Sequence, residues 1–134
     1  MGVKLFDKTW QLVAQSLKLR LSRNDVIAAN IANVDTPGYR RKVLPFERIM
    51  QAYMQGQPHL VTTNPRHIKP KPWQPPVTTE EDWSPPDEGT PNNVSLEEEM
   101  ARLTENTILY QATVQALIKE LQILRDAITE GGKG

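Results

Sequence analysis

The sequence predicts a mainly α protein. Two long terminal helices pair as a coiled-coil-like unit, and a proline-rich, irregular middle separates them. Three observations carry this. All eleven prolines fall between Pro37 and Pro91, so neither end contains a helix breaker. Apolar residues recur in alternating four- and three-residue steps from Leu96 to Ile128. Ser95 and Glu98 form an S-x-x-E capping box where that pattern begins.

The first segment, 1–36, reads as an N-terminal helix from about Asp7 to about Asn33. Phe6, Trp10, Val13, Leu17, Ile27 and Ile31 trace a heptad seam, with Arg20 and Asn24 interrupting it. A second apolar line, Leu5, Leu12, Leu19 and Val26, runs seven residues apart beside the seam. Towards its end, Val26 to Ala32 is apolar almost all round, the pattern of a helix enclosed by something else.

That helix must stop before Pro37, because the residue preceding a proline is driven out of the helical region. Thr36-Pro37-Gly38-Tyr39 has the composition of a type II turn: proline presets the second position and glycine supplies the positive φ of the third. Asn33 suits a left-handed C-cap. Asn30, Asn33 and Asp35 can bond free carbonyls, amides or a neighbouring helix.

The middle, 37–94, reads as a connecting region, partly extended or disordered, with at most a short β-hairpin, placed at 59–71 around Asn64-Pro65. Residues 44–91 are expected to be mostly loop. Disorder is the expectation for 74–93, where "EEDWSPPDEGTPNN" is acidic and turn-rich.

The last segment, 95–134, is the second long helix with a Gly-rich tail. Its seam comprises Leu96, Met100, Leu103, Thr107, Tyr110, Val114, Leu117, Leu121, Leu124 and Ile128, a rod of roughly 50 Å at 1.5 Å per residue. Ile118 and Ile123 lie off the seam, as do Ile108, Leu109 and Ala116. Each helix thus offers more apolar surface than one pairing consumes. Assembly of several copies would cover it; a middle that folds back, or scattered exposed side chains, are the alternatives.

Composition narrows the function. The net charge is zero, so no global field points to nucleic acid or a membrane. Residues 1–43 carry eight basic and three acidic side chains, and residues 95–134 four and seven, so the ends can attract each other. With no cysteine there is no disulfide, thiol chemistry or thiolate metal site. No cofactor is indicated. His59 and His67 lack a second partner at zinc-ligand spacing, and Glu80-Glu81-Asp82 lacks a calcium-loop pattern. Arg40-Arg41-Lys42 reads as a solvated boundary or as a docking site for an acidic partner. No stretch is apolar and long enough to span a bilayer, and the N-terminus has no cleavable signal pattern. Neither a catalytic nor a metal-binding constellation is expected.

Residues 28–47, "AANIANVDTPGYRRKVLPFE", resemble the N-terminal signature of flagellar basal-body rod and hook-type axial proteins. Residues 92–117, "NNVSLEEEMARLTENTILYQATVQAL", are similar to the C-terminal helix of the small proximal rod members. Asn93, Val94, Glu99, Met100, Leu103, Asn106, Tyr110 and Ala112 carry this second likeness. "TTNPRHI" is similar to the same subtype, whereas residues 70–91 match no pattern of the family. The resemblance implies a structural subunit of the bacterial flagellar basal-body rod, exported by the flagellar type III apparatus without a cleaved signal. It implies stacking in a hollow periplasmic rod whose inner tube is built of terminal helices that transmit torque and line the export channel. The implied partners are copies of itself, other rod subunits and the adaptor joining membrane ring to rod. Alternatives are another small proximal rod protein of the same family, or a helical adaptor or chaperone for flagellar export substrates.

Overall fold

The computed structural model describes the backbone of residues 2–56 and 75–132, and side chains from residue 7 onward. Its elements are α1 (Gly2–Ala32), β1 (Lys42–Val43), α2 (Phe46–Gln55), β2 (Glu80–Glu81) and α3 (Leu96–Gly131). The hairpin expected over 59–71 lies outside the described residues. So do His59 and His67.

The 31-residue α1 and the 36-residue α3 pack antiparallel. Asn30 meets Glu99, while ten residues earlier Arg20 meets Asn106. At 1.5 Å per residue α3 is about 54 Å long. Its N-terminus carries Glu97, Glu98 and Glu99 in the first turn, the sign that complements the helix dipole. Ser95 Oγ accepts from the Glu98 amide at 3.4 Å. The return half of the capping box does not form; the Glu98 carboxylate takes Arg102 instead, at 3.1 Å.

Between the long helices, the middle is more ordered than its prolines suggest. Phe46, Ile49, Met50 and Tyr53 repeat at helical spacing, and α2 forms there directly after Pro45, a position suited to a helix start. Gly56, at φ 66°, ends it. The expectation that 44–91 is mostly loop holds for the described residues outside α2 and β2, but it named no helix, and α2 is the addition. The competing signal was proline density, but no proline falls between Pro45 and Pro58.

The helix α2 covers the second apolar line of α1. Leu19, Leu44 and Ile49 form the buried core cluster, with Val26, Phe46 and Met50 packed against it. Leu19 and Val26 are therefore satisfied within the chain. The middle does fold back, over this part of α1.

β1 and β2 pair antiparallel, Lys42 opposite Glu81 and Val43 opposite Glu80. The ladder joins the two ends of the middle rather than neighbouring segments. Residues 75–93 were expected to be disordered in part. Their described course is irregular with turns apart from β2, and it is tied to the start of the middle by side-chain hydrogen bonds from the Arg41 amide to Asn93, from Arg41 to Asp82 and from Arg48 to Glu80.

Candidate functional site

The family-motif residues converge where α1 ends, β1 begins and α3 starts. Asn30 is fully buried. Its Oδ1 accepts from the Lys42 amide at 2.9 Å and from the Tyr39 hydroxyl at 3.1 Å. Its Nδ2 donates to the Lys42 carbonyl at 2.8 Å and to Glu99 Oε2 at 3.1 Å. One amide thus holds both backbone groups of Lys42, as a neighbouring strand would.

Glu99 is equally buried. A buried carboxylate is costly unless it is paired and hydrogen-bonded, and here both oxygens are engaged. Arg102 Nη1 donates to Oε1 at 2.7 Å, and Arg41 Nη1 lies 3.5 Å from the same oxygen. Arg41 in turn donates through Nε to Asp82 Oδ2 at 3.1 Å. Arg41 is therefore internal, and neither reading of the basic run describes it. Arg40 stacks on the exposed Trp83 ring, 3.4 Å from its centroid.

The turn has the expected form. Gly38 has φ 73°, and the Tyr39 amide donates to the Thr36 carbonyl at 3.2 Å. The Gly38 amide also donates to the Pro91 carbonyl at 3.1 Å. Asn33 departs from expectation: among the described residues no non-glycine has positive φ, so it is not left-handed. Instead its Nδ2 donates to the Ala29 carbonyl, and its Oδ1 accepts from Thr36 Oγ1. Asp35 is exposed. The carbonyls of Asn33, Val34 and Thr36 all lie 2.9 Å from Asn92 Nδ2 and share its two hydrogens; those of Asn33 and Thr36 also accept from the Thr36 and Tyr39 amides. Asn92 Oδ1 accepts from the Val94 amide at 2.8 Å. Asn93 binds the Arg41 amide through Oδ1 and the Asp82 carbonyl through Nδ2.

Asp82 is held below the usual carboxylate range, first by its hydrogen bond from the Ser84 amide and then by Arg41. The Tyr39 hydroxyl is pushed up, first by burial and then by the charge of Glu99.

The helix seam is partly as expected. Ile27 is buried, and Leu17, Ile31, Leu103, Tyr110, Val114 and Leu117 are half-buried. Leu96 and Met100 are exposed, however. In the first turns of α3 the packed stripe is rotated by one position, through Glu99 and Asn106. Asn106 Nδ2 donates to the Arg20 carbonyl and to Asn24 Oδ1, both at 2.7 Å, so the polar breaks in the α1 seam meet a polar partner. Of the off-seam residues, Leu12 is half-buried.

The far end is open. Every described residue from Ile118 to Gly132 is exposed, including Leu121, Ile123, Leu124 and Ile128. Trp10, on the facing stretch of α1, is 41% exposed. Among the described residues no helix is long and apolar enough to cross a membrane.

Asn92, Arg41 and Asp82 were not singled out from sequence, although the paired asparagines immediately before a helix start were a usable sign. A helix pair stitched by buried amides at one end and left apolar at the other defines a class: a helical building block whose core is completed by association. The comparisons agree with that class. The family model described as Flagella basal body rod protein matches residues 14–40. Flagellar basal body rod protein FlgB of Bacillus subtilis is 30% identical over 133 residues, covering 98% of this chain and 100% of that protein. FlgB of Escherichia coli K12 is 29% identical, covering 93% and 96%, and that of Aeromonas hydrophila 27%, covering 92% and 94%. The chain belongs to the FlgB family of flagellar basal body rod proteins.

Proposed function

We propose that the chain is a structural subunit of the proximal rod of the flagellar basal body, polymerising through its terminal helices. The observation that carries this is the open end of α3, where Ile118, Leu121, Ile123, Leu124 and Ile128 stay exposed in one copy. At about 25 cal/mol per Å² of apolar surface, covering such a face is a strong drive to associate. Full-length similarity to FlgB supports the rod as the place where it is covered.

In this reading the helix pair lies in the wall of the tube, lines the export channel and transmits torque. The joint of Asn30, Glu99 and Arg41 fixes how the middle leaves the pair. Neighbours are copies of the chain, other rod subunits and the ring–rod adaptor. The chain reaches them through the flagellar type III apparatus, with no cleaved signal. The test is complementation of a strain lacking its own copy with a tagged chain, followed by isolation of basal bodies and localisation of the tag by electron microscopy. A tag found only in the cytoplasm, with motility restored, would point to an export adaptor or chaperone instead.

A further inference from the structure

A cleft of about 170 Å³ lies between α1, β1 and α3. Arg23, Arg41, Lys42 and Arg102 line it, and among the described residues Glu99 is the only carboxylate in its wall. Glu99 is already engaged by Arg41 and Arg102. Among the described residues the Arg23 guanidinium and the Lys42 ammonium take part in none of the ion pairs. The cleft therefore carries surplus positive charge.

Elsewhere the surplus is negative. Residues 75–101 contain eight Asp and Glu and no Lys or Arg. Glu80, Asp82, Glu98 and Glu99 are paired with arginines. Glu81, Asp87, Glu88 and Glu97 take part in none of these ion pairs and are exposed; Glu81 stands opposite Lys42 in the ladder and Glu97 in the first turn of α3, which leaves Asp87 and Glu88. They sit at the tip of a turn closed by Thr90, whose amide donates to the Asp87 carbonyl at 3.1 Å and whose hydroxyl donates to it at 2.7 Å. Pro85-Pro86 and Pro91 stiffen the flanks, and Gly89 takes φ 85° at the bend. No residue of this turn lines the cationic cleft of its own chain.

We propose that the Asp87–Glu88 turn of one copy docks into the Arg23–Lys42 cleft of the next. The occupant is a second copy because the two patches are complementary in charge and neither Asp87 nor Glu88 lines the cleft of its own chain. A contact of that kind is head-to-tail, and a head-to-tail contact that does not close generates an open helical array. The proposal rests on the rod-subunit reading and adds the surfaces that meet. The two charges at the tip give register and on-rate more than affinity, while the apolar end of α3 supplies the bulk of the association.

The chain has no native cysteine, so a placed pair reports cleanly. One tagged full-length chain would carry Arg23→Cys and another Glu88→Cys. Mixed under assembling conditions and oxidised, they should give the mixed disulfide well above either homodimer. Asp87→Lys with Glu88→Lys should weaken self-association at least tenfold at low salt while leaving the helical circular dichroism unchanged. Adding Arg23→Glu with Lys42→Glu on the partner should restore it. Raised salt should weaken the wild-type contact by screening. A charge-reversed turn that assembles like wild type, with no mixed disulfide, overturns the proposal and leaves the rod reading standing. Cleft variants that fail to enter basal bodies, although Glu88→Cys never cross-links to Arg23→Cys, also overturn it, since the acidic occupant is then another component. A wild-type chain that neither self-associates nor enters basal bodies defeats the rod reading itself.

Discussion

Asn30 and Glu99, on different long helices and both sealed from solvent, share a hydrogen bond of 3.1 Å. Each is also tied to the chain at β1, Asn30 through the Lys42 backbone and Glu99 through Arg41 immediately before it. Three elements are thus set by two side chains. Glu99→Ala leaves Arg41 with Asp82 and Arg102 with Glu98, but it leaves the buried Asn30 Nδ2 short of an acceptor and should cost about 1–3 kcal/mol. Asn30→Ala leaves the Lys42 amide and carbonyl unmet, at about 1–3 kcal/mol for each buried group. Urea unfolding of the purified chain measures both; a loss below 1 kcal/mol for either would contradict the assigned bonds.

The Asn92 amide offers a second test, because one group meets three carbonyls. Asn92→Ala should destabilise by about 1–3 kcal/mol. Amide exchange should quicken at the end of α1, not along α3.

Gly38 combines positive φ with open space, since a Cβ built there meets no atom within 4 Å. The cost of replacement is therefore in the backbone alone. Gly38→Asn should be mildest, Gly38→Ala intermediate at about 1–2 kcal/mol, and Gly38→Val worst. Motility should fall in the same order, with the protein still made and exported. Equal motility for valine and glycine would remove the type II turn from the mechanism.

Core and open face should separate cleanly. Leu19→Ala, at a fully buried position against α2, should cost about 2–5 kcal/mol. Leu121→Ala removes a side chain that is 40% exposed in the single copy and should cost less. Ile118→Glu and Ile123→Glu should leave stability within roughly ±0.5 kcal/mol, yet block entry into the rod, where they would bury an unpaired charge. Secretion assays beside basal-body isolation distinguish these effects. Normal rods carrying both glutamates would sink the open-face account.

The pH dependence has a defined sign. Asp82 binds its proton less tightly in the folded chain than when unfolded. The stability it contributes is complete above the unfolded value, about pH 4, and is lost as pH falls through the lower folded value. Asp82→Asn should remove that part of the acid transition. The difference between variant and wild type should be largest near neutrality and shrink as pH falls through the lowered folded value.

Much of this architecture was readable because it rests on local chemistry. Proline exclusion marks both long helices, Ser95 marks the start of α3, and Gly38 marks the turn. The failures have physical causes. Apart from Thr107 the α3 seam was traced through apolar residues, so Leu96 and Met100 were placed inward, while Glu99 and Asn106 hold those turns. Burial of that carboxylate depends on Arg41, just before β1, and on Arg102 of α3 itself, which no periodicity displays. Helix α2 was visible in the spacing of Phe46, Ile49, Met50 and Tyr53 but was overshadowed by surrounding prolines. Arg41 looked like one of three solvated cations; only the fold reveals that its acidic partners lie 41 and 58 positions later in the chain, at Asp82 and Glu99.

The three-carbonyl clamp on the end of α1 has a consequence in time. Its amide arrives 59 residues after the first carbonyl it binds. A chain delivered N-terminus first, whether from a ribosome or through a narrow conduit, emerges with α1 lacking its terminator. Loop closure of that length carries an entropic cost that only the joined halves repay. The front half therefore lacks this clamp until the back half reaches it.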